Sequence, residues 1–169
     1  MSGVSLWYER QFEFAFPADV YPNISVRLRG TPARLEEFVR SCSREILTRK
    51  PDEKWSAQEH VGHLLDLEPL WLKRLEDFAQ GRTELTTTDL SNRKTHEASY
   101  NSQAVEDVLA GFRNARLRLV ERAAEVDPTM YSHVLMHPRL QKPMRPVDHL
   151  YFVAEHDDHH LASIWQLIR

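Results

Sequence analysis

Apolar residues recur at the spacing of one helix face in four stretches of this chain. Between Pro22 and Lys50 the stripe is Leu35, Phe38, Cys42 and Ile46. Within that region Gly30-Thr31-Pro32 reads as a stop, an N-cap and a favoured first helical residue, so two helical pieces are expected. Lys50-Pro51-Asp52 breaks the chain, and Ser56-Ala57-Gln58-Glu59 is a capping box that starts a second helix. Its stripe is Leu64, Leu67, Trp71, Leu75 and Phe78, with His63 at the inner edge and His60 a turn nearer the cap. Pro69 removes the bond to the Leu65 carbonyl, at a cost of about 3 kcal/mol unless context repays it, and predicts a bend.

A third helix is expected over Ser102 to Val126, with Val105, Val108, Leu109, Phe112, Ala115 and Leu119 on one side. Arg113, Arg116, Arg118, Glu121 and Arg122 fall largely opposite and read as a solvated face. The fourth runs from Pro146 to Ile168, with Leu150, Val153, Ile164 and Leu167 inward. The connections are uneven. Gly81 to Asn101 is polar and about twenty residues long, a length that often accompanies functional loops. Asn92, His96 and Tyr100 there are candidates for a lid or pocket wall, with a solvated crossover the equal alternative. Pro128 to Arg145 reads as a second irregular connection, holding His133, His137 and Arg139. Met1 to Tyr21 mixes Trp7, Tyr8, Phe12, Phe14 and Phe16 with charges and reads as an arm packed on the outside.

Four amphipathic helices and one long crossover predict an all-α four-helix bundle, and 169 residues suit a single domain, 1–169. Twenty-two basic against 25 acidic residues give a net charge of −3, with no basic stripe to recommend nucleic acid. No run of 18 apolar residues suggests a membrane span, and the N-terminus lacks a secretory pattern, so the expected location is the cytoplasm. Cys42 is the only cysteine; it excludes an internal disulfide and reads as a small core residue. Five glycines leave little room for phosphate-cradling loops.

The chemistry gathers in Ala-Glu-His-Asp-Asp-His-His-Leu-Ala, residues 154–162. His149, His156 and His160 lie on the buried face of the last helix, where an unpartnered imidazole costs a few kcal/mol. His156 and His160 stand one turn apart and can converge on one point, the arrangement of a helix-borne metal site. A third ligand from a facing helix completes such a site, and His63 is placed to supply it. His159 points about a hundred degrees away from His160 and reads as a pocket or supporting residue, as do His60, His149, Glu59, Asn92 and His96. Glu59, Asp66, Glu155 and Asp157 are the nearest carboxylates; taken singly, each reads as a helix-surface group, although one could orient a ligand imidazole or act as a base.

The run Lys54-Trp55-Ser56-Ala57-Gln58-Glu59-His60-Val61-Gly62-His63-Leu64-Leu65-Asp66, followed by Glu155-His156-Asp157-Asp158-His159-His160, resembles the DinB/YfiT-like superfamily of metal-binding four-helix bundles. Arg29-Gly30-Thr31-Pro32-Ala33-Arg34 and Asn92-Arg93-Lys94-Thr95-His96-Glu97 carry the likeness across most of the chain. The resemblance implies a divalent metal on one histidine of the second helix and two of the last, roles that fall on His63, His156 and His160. It also implies a homodimer, and either a metal-dependent hydrolase or a small-thiol S-transferase or isomerase acting on a small molecule. Three neutral imidazoles suit zinc, nickel or iron and leave positions open for water, a carbonyl or a thiolate. Two alternatives stand beside the enzyme: a stress or structural protein braced by the ion, with His96 or His149 as fourth ligand, and a polar histidine core without metal.

Overall fold

The computed structural model describes residues 3–52, 54–126 and 132–169. The long helices are α1 (Tyr21–Val39), α3 (Ala57–Ala79), α5 (Val105–Ala124) and α6 (Pro146–Leu167). Between them lie the short α2 (Arg44–Thr48) and α4 (Arg93–Glu97), and the strands β1 (Leu135–His137) and β2 (Lys142–Met144). α1 and α3 each pack against both α5 and α6, so the order around the bundle is α1, α5, α3, α6. The links from α1 to α3 and from α5 to α6 therefore run along diagonals.

Gly30-Thr31-Pro32 does not divide the first helix; α1 is continuous, with Pro32 buried inside it. A proline there leaves the Leu28 carbonyl without its amide. That carbonyl accepts instead from Arg116 Nη1 at 3.3 Å, and the Thr31 hydroxyl, no cap, donates to Asp157 Oδ2 at 2.8 Å. α1 ends at Val39, so Cys42 sits half-buried in the following turn and Leu47, rather than Ile46, enters the core. The Ser56–Glu59 capping box is present, and α3 then runs unbroken through Pro69, which lies on its exposed face. A carbonyl freed on that side can be hydrated.

The apolar core forms two clusters. Leu28, Trp71, Leu119 and Val153 belong to one, and Leu35, Leu64, Phe112 and Leu161 to the other. Between those residues on the four helices come Thr31, Glu68, Arg116 and Asp157, all buried. Arg116 is fully enclosed and pairs with Glu68 Oε1 at 2.6 Å and with both oxygens of Asp157. A polar layer with one residue from each helix thus crosses the bundle. Arg116 does not lie on a wet face, because Phe112, Arg116 and Leu119 share the inward stripe of α5.

The 81–101 crossover is not structureless. Leu85 is buried, Glu84 bridges to Met136, and α4 stands against α3. The next connection contains an antiparallel hairpin, Leu135 opposite Met144 and His137 opposite Lys142; its residues 128–131 lie outside those described.

Candidate metal centre

α3 and α6 run antiparallel: Trp71 offers its carbonyl to His149 at 3.1 Å, while His63, two turns earlier, meets His156 and His160 later on α6. The three rings present ligand atoms that all lie within 4.8 Å of one another, and all three residues are buried. His156 Nε2 and His160 Nε2 are 3.2 Å apart. Two nitrogens bound tetrahedrally at 2.0–2.1 Å would be separated by about 3.3 Å, so the pair is spaced as two ligands of one ion.

The tautomer of His63 follows from its neighbours. The Thr95 hydroxyl donates to Asp66 Oδ2 at 2.9 Å, which spends its one hydrogen. At 3.1 Å from His63 Nδ1 it must therefore accept, so His63 carries its proton on Nδ1 and turns the Nε2 lone pair toward the other two rings. Asp66 also accepts from Tyr100 OH at 2.8 Å and pairs with Lys94 Nζ at 3.1 Å. His160 Nδ1 meets His60 Nδ1 at 2.8 Å; with His160 offering Nε2, its Nδ1–H donates to His60. His156 Nδ1 is buried without a partner among the described residues.

Burial holds these rings neutral, as ligands must be. Desolvation and the neighbouring His60 push His63 down to about 3, and desolvation pushes His60 down to about 4. His156 and His160 are driven well below the usual histidine range, again first by burial and then by each other or His63. Three convergent imidazoles that cannot readily protonate, with His60 beside them, suit a cation better than an empty core.

The cluster opens into a cavity of about 480 Å³. Trp55 covers His63 at a ring separation of 4.6 Å, and Trp7 of the arm meets the His156 ring edge-on at 5.0 Å. His159 lines the cavity, packed against His160 and Trp7 at 5.0 and 5.6 Å, and Asn92 lines it from the crossover. The remaining candidates fall elsewhere. Glu59 serves the capping box and Lys50. His96 is exposed, beside Trp55, and His149 is bound to Trp71 two turns from His156. No fourth histidine, cysteine or carboxylate joins the cluster among the described residues.

Asp66 and Asp157 are buried rather than surface carboxylates, whereas Glu155 is half-buried in ion pairs with Arg10 and Arg27. The supporting residues that sequence reasoning missed were Thr95, Trp55 and Trp7. Thr95 gave no periodic signal, because α4 is only five residues long.

A four-helix bundle with convergent histidines opening on a cavity defines a class of protein. The chain belongs to the DinB superfamily, whose model matches residues 27–164. Its fold matches YfiT from Bacillus subtilis, described as a probable metal-dependent hydrolase with an unusual four-helix bundle topology, at a TM-score of 0.79. That match covers 94% of this chain and 91% of YfiT at 18% identity. Among curated proteins, none matches the chain in sequence. No described helix is long and apolar enough to cross a membrane.

Proposed function

We propose that this chain is a metal-dependent enzyme acting on a small molecule, with His63, His156 and His160 holding a divalent ion. The observation that carries this reading is the convergence of three neutral histidines at the wall of a cavity with no fourth protein ligand among the described residues. A bracing ion would be enclosed by protein ligands, whereas a catalytic site keeps positions open. When bound, the ion supplies Lewis-acid activation of a carbonyl or of a nucleophile.

The chain's own residues do the rest. Thr95, backed by Asp66 and Tyr100, fixes the ring of His63, and His60 fixes that of His160. Trp7 and Trp55 wall the cavity and limit water around the ligands. The reaction is hydrolysis, a reading supported by the description of YfiT, or transfer to a low-molecular-weight thiol; zinc, nickel and iron all suit three imidazoles. The proposal is of one domain, working as a homodimer in the cytoplasm.

The test is turnover by metal-loaded protein on panels of esters, amides and thiol-accepting electrophiles, alongside the His63→Ala variant. Activity that requires both the metal and His63 supports the enzyme. Stoichiometric metal that raises stability without turnover on any panel supports the bracing role instead.

A further inference from the structure

The same cavity is also lined by Arg74, Arg139 and His137, none of which the metal centre uses. Arg74 is 1% exposed. Its Nε donates to the Thr86 carbonyl at 2.9 Å, but its Nη2 is buried with no partner among the described residues. Arg139 Nη2 is likewise buried and unpartnered, with the guanidinium over the Trp7 and Phe152 rings at 6.0 and 5.9 Å. Neither arginine makes an ion pair among the described residues, in a chain whose other enclosed guanidinium, Arg116, has two carboxylates. Leaving buried cationic donors unpaired is costly, and a ligand anion removes that cost.

His137 adds a third donor. Its Nδ1 accepts from the amides of Arg139 and Leu140, both at 3.2 Å, so the ring proton resides on Nε2. That Nε2–H faces Arg74 Nη1 at 3.2 Å, donor against donor. An acceptor shared by the two resolves the conflict. The Trp71 indole N–H, on the same cavity wall, is also buried without a partner among the described residues.

We propose that Arg74, Arg139 and His137 form a carboxylate-binding subsite, so that the molecule acted on at the histidine cluster carries its carboxylate at the end remote from the reacting group. A carboxylate fits better than a phosphate. The free donors are few and suit two planar oxygens, and the remaining walls near them, Leu67, Trp71 and Phe152, are apolar. Arg74 lies eleven residues after His63 on α3, about 16 Å along the axis at 1.5 Å per residue. The reach of the arginine side chain shortens that span, leaving room for a compact apolar spacer. The substrate part of the inference rests on the metal-dependent reading; the binding part stands without it.

Ligand-observed NMR titrations of the full chain test it, with benzoate, benzamide and inorganic phosphate as probes. Wild type, Arg139→Gln, Arg139→Lys and His156→Ala are compared, with metal content measured for each. Arg139 is chosen because it is only half-buried, whereas replacing the enclosed Arg74 endangers the fold. Benzoate should bind wild type at least about tenfold more tightly than benzamide, and Arg139→Gln should remove that margin while Arg139→Lys keeps part of it. His156→Ala should keep the preference for benzoate over benzamide. Equal binding of benzoate and benzamide, no benzoate binding, a preference for phosphate, or indifference to Arg139→Gln would each overturn the subsite. Benzoate binding lost in His156→Ala but kept in Arg139→Gln overturns it while upholding the metal. Arginine-dependent binding in a protein that holds no metal upholds the subsite and sinks the metal reading.

Discussion

The hydroxyl of Thr95 stands 3.1 Å from His63 Nδ1 and 2.9 Å from Asp66 Oδ2, and so links a buried carboxylate to a candidate metal ligand through one oxygen. Because that oxygen can only accept from the imidazole, it selects the tautomer that leaves Nε2 for the ion. Thr95→Val keeps the shape of the side chain and removes the link. Metal affinity should fall by roughly 10–100-fold, the usual effect of losing a ligand's supporting hydrogen bond. A competition titration against a chromogenic chelator measures it, and unchanged affinity would show that Thr95 does not set the ring.

Gly62 makes room for the same network. A Cβ at this position would overlap the ring of Tyr100, which donates its hydroxyl hydrogen to Asp66. Gly62→Ala must push Tyr100 aside, with an expected loss of about 1–3 kcal/mol, typical of overpacking. The same variant should bind metal more weakly. Urea denaturation and the chelator titration, run on one preparation, check both; a variant as stable as wild type would mean that Tyr100 moves freely.

Arg116 sits between Glu68 and Asp157 with no access to water. Arg116→Met leaves two buried carboxylates without their cation, and the expected cost is about 3–5 kcal/mol. The triple variant Arg116→Met, Glu68→Gln, Asp157→Asn removes the stranded charges and should recover part of that loss. Denaturation midpoints compare them. A single variant close to wild type would show that the layer is not energetically coupled.

His149 gives a pH signature independent of the proposed ligands. Burial, then the charge of Arg74, pushes its imidazole from 6.5 down to about 3. Below pH 6.5 the unfolded chain takes up a proton that the folded protein refuses, so stability falls as the pH drops from about 6.5 toward 3. By pH 4.5 this single group should cost about 2–3 kcal/mol. His149→Leu removes the titration, and its stability should decline less steeply over that interval. Parallel curves for the two proteins would contradict this.

The bundle was legible because Leu64, Trp71, Leu75 and Phe78, or Leu150, Val153 and Ile164, keep strict helical spacing. The helix ends and breaks were less so. Pro32 looks like a helix start to any local rule, and only a distant partner, Arg116 reaching the Leu28 carbonyl, lets it sit mid-helix. Residue type alone puts Arg116 on the wet side, although its spacing from Phe112 and Leu119 places it inside. The histidines stood out because imidazoles on a buried stripe demand a partner. Thr95, Trp7 and Arg139 reach the site from short or irregular segments, where periodicity is silent, whereas Arg74 lies on the inner stripe of α3 beside Trp71 and Leu75 and is masked there by its charge. His137 and Arg139 were visible only as polar residues of a connection, and the β-hairpin that aims them is three residues a side.

Metal stoichiometry of the purified protein, read with its melting temperature before and after chelation and for His156→Ala, tests the central claim most directly. One divalent ion per chain in wild type, absent from the variant, with a melting temperature that metal raises only in wild type, is the expected result. A protein that holds no metal, and whose melting temperature responds to zinc, nickel or iron no more than the variant's does, would contradict it.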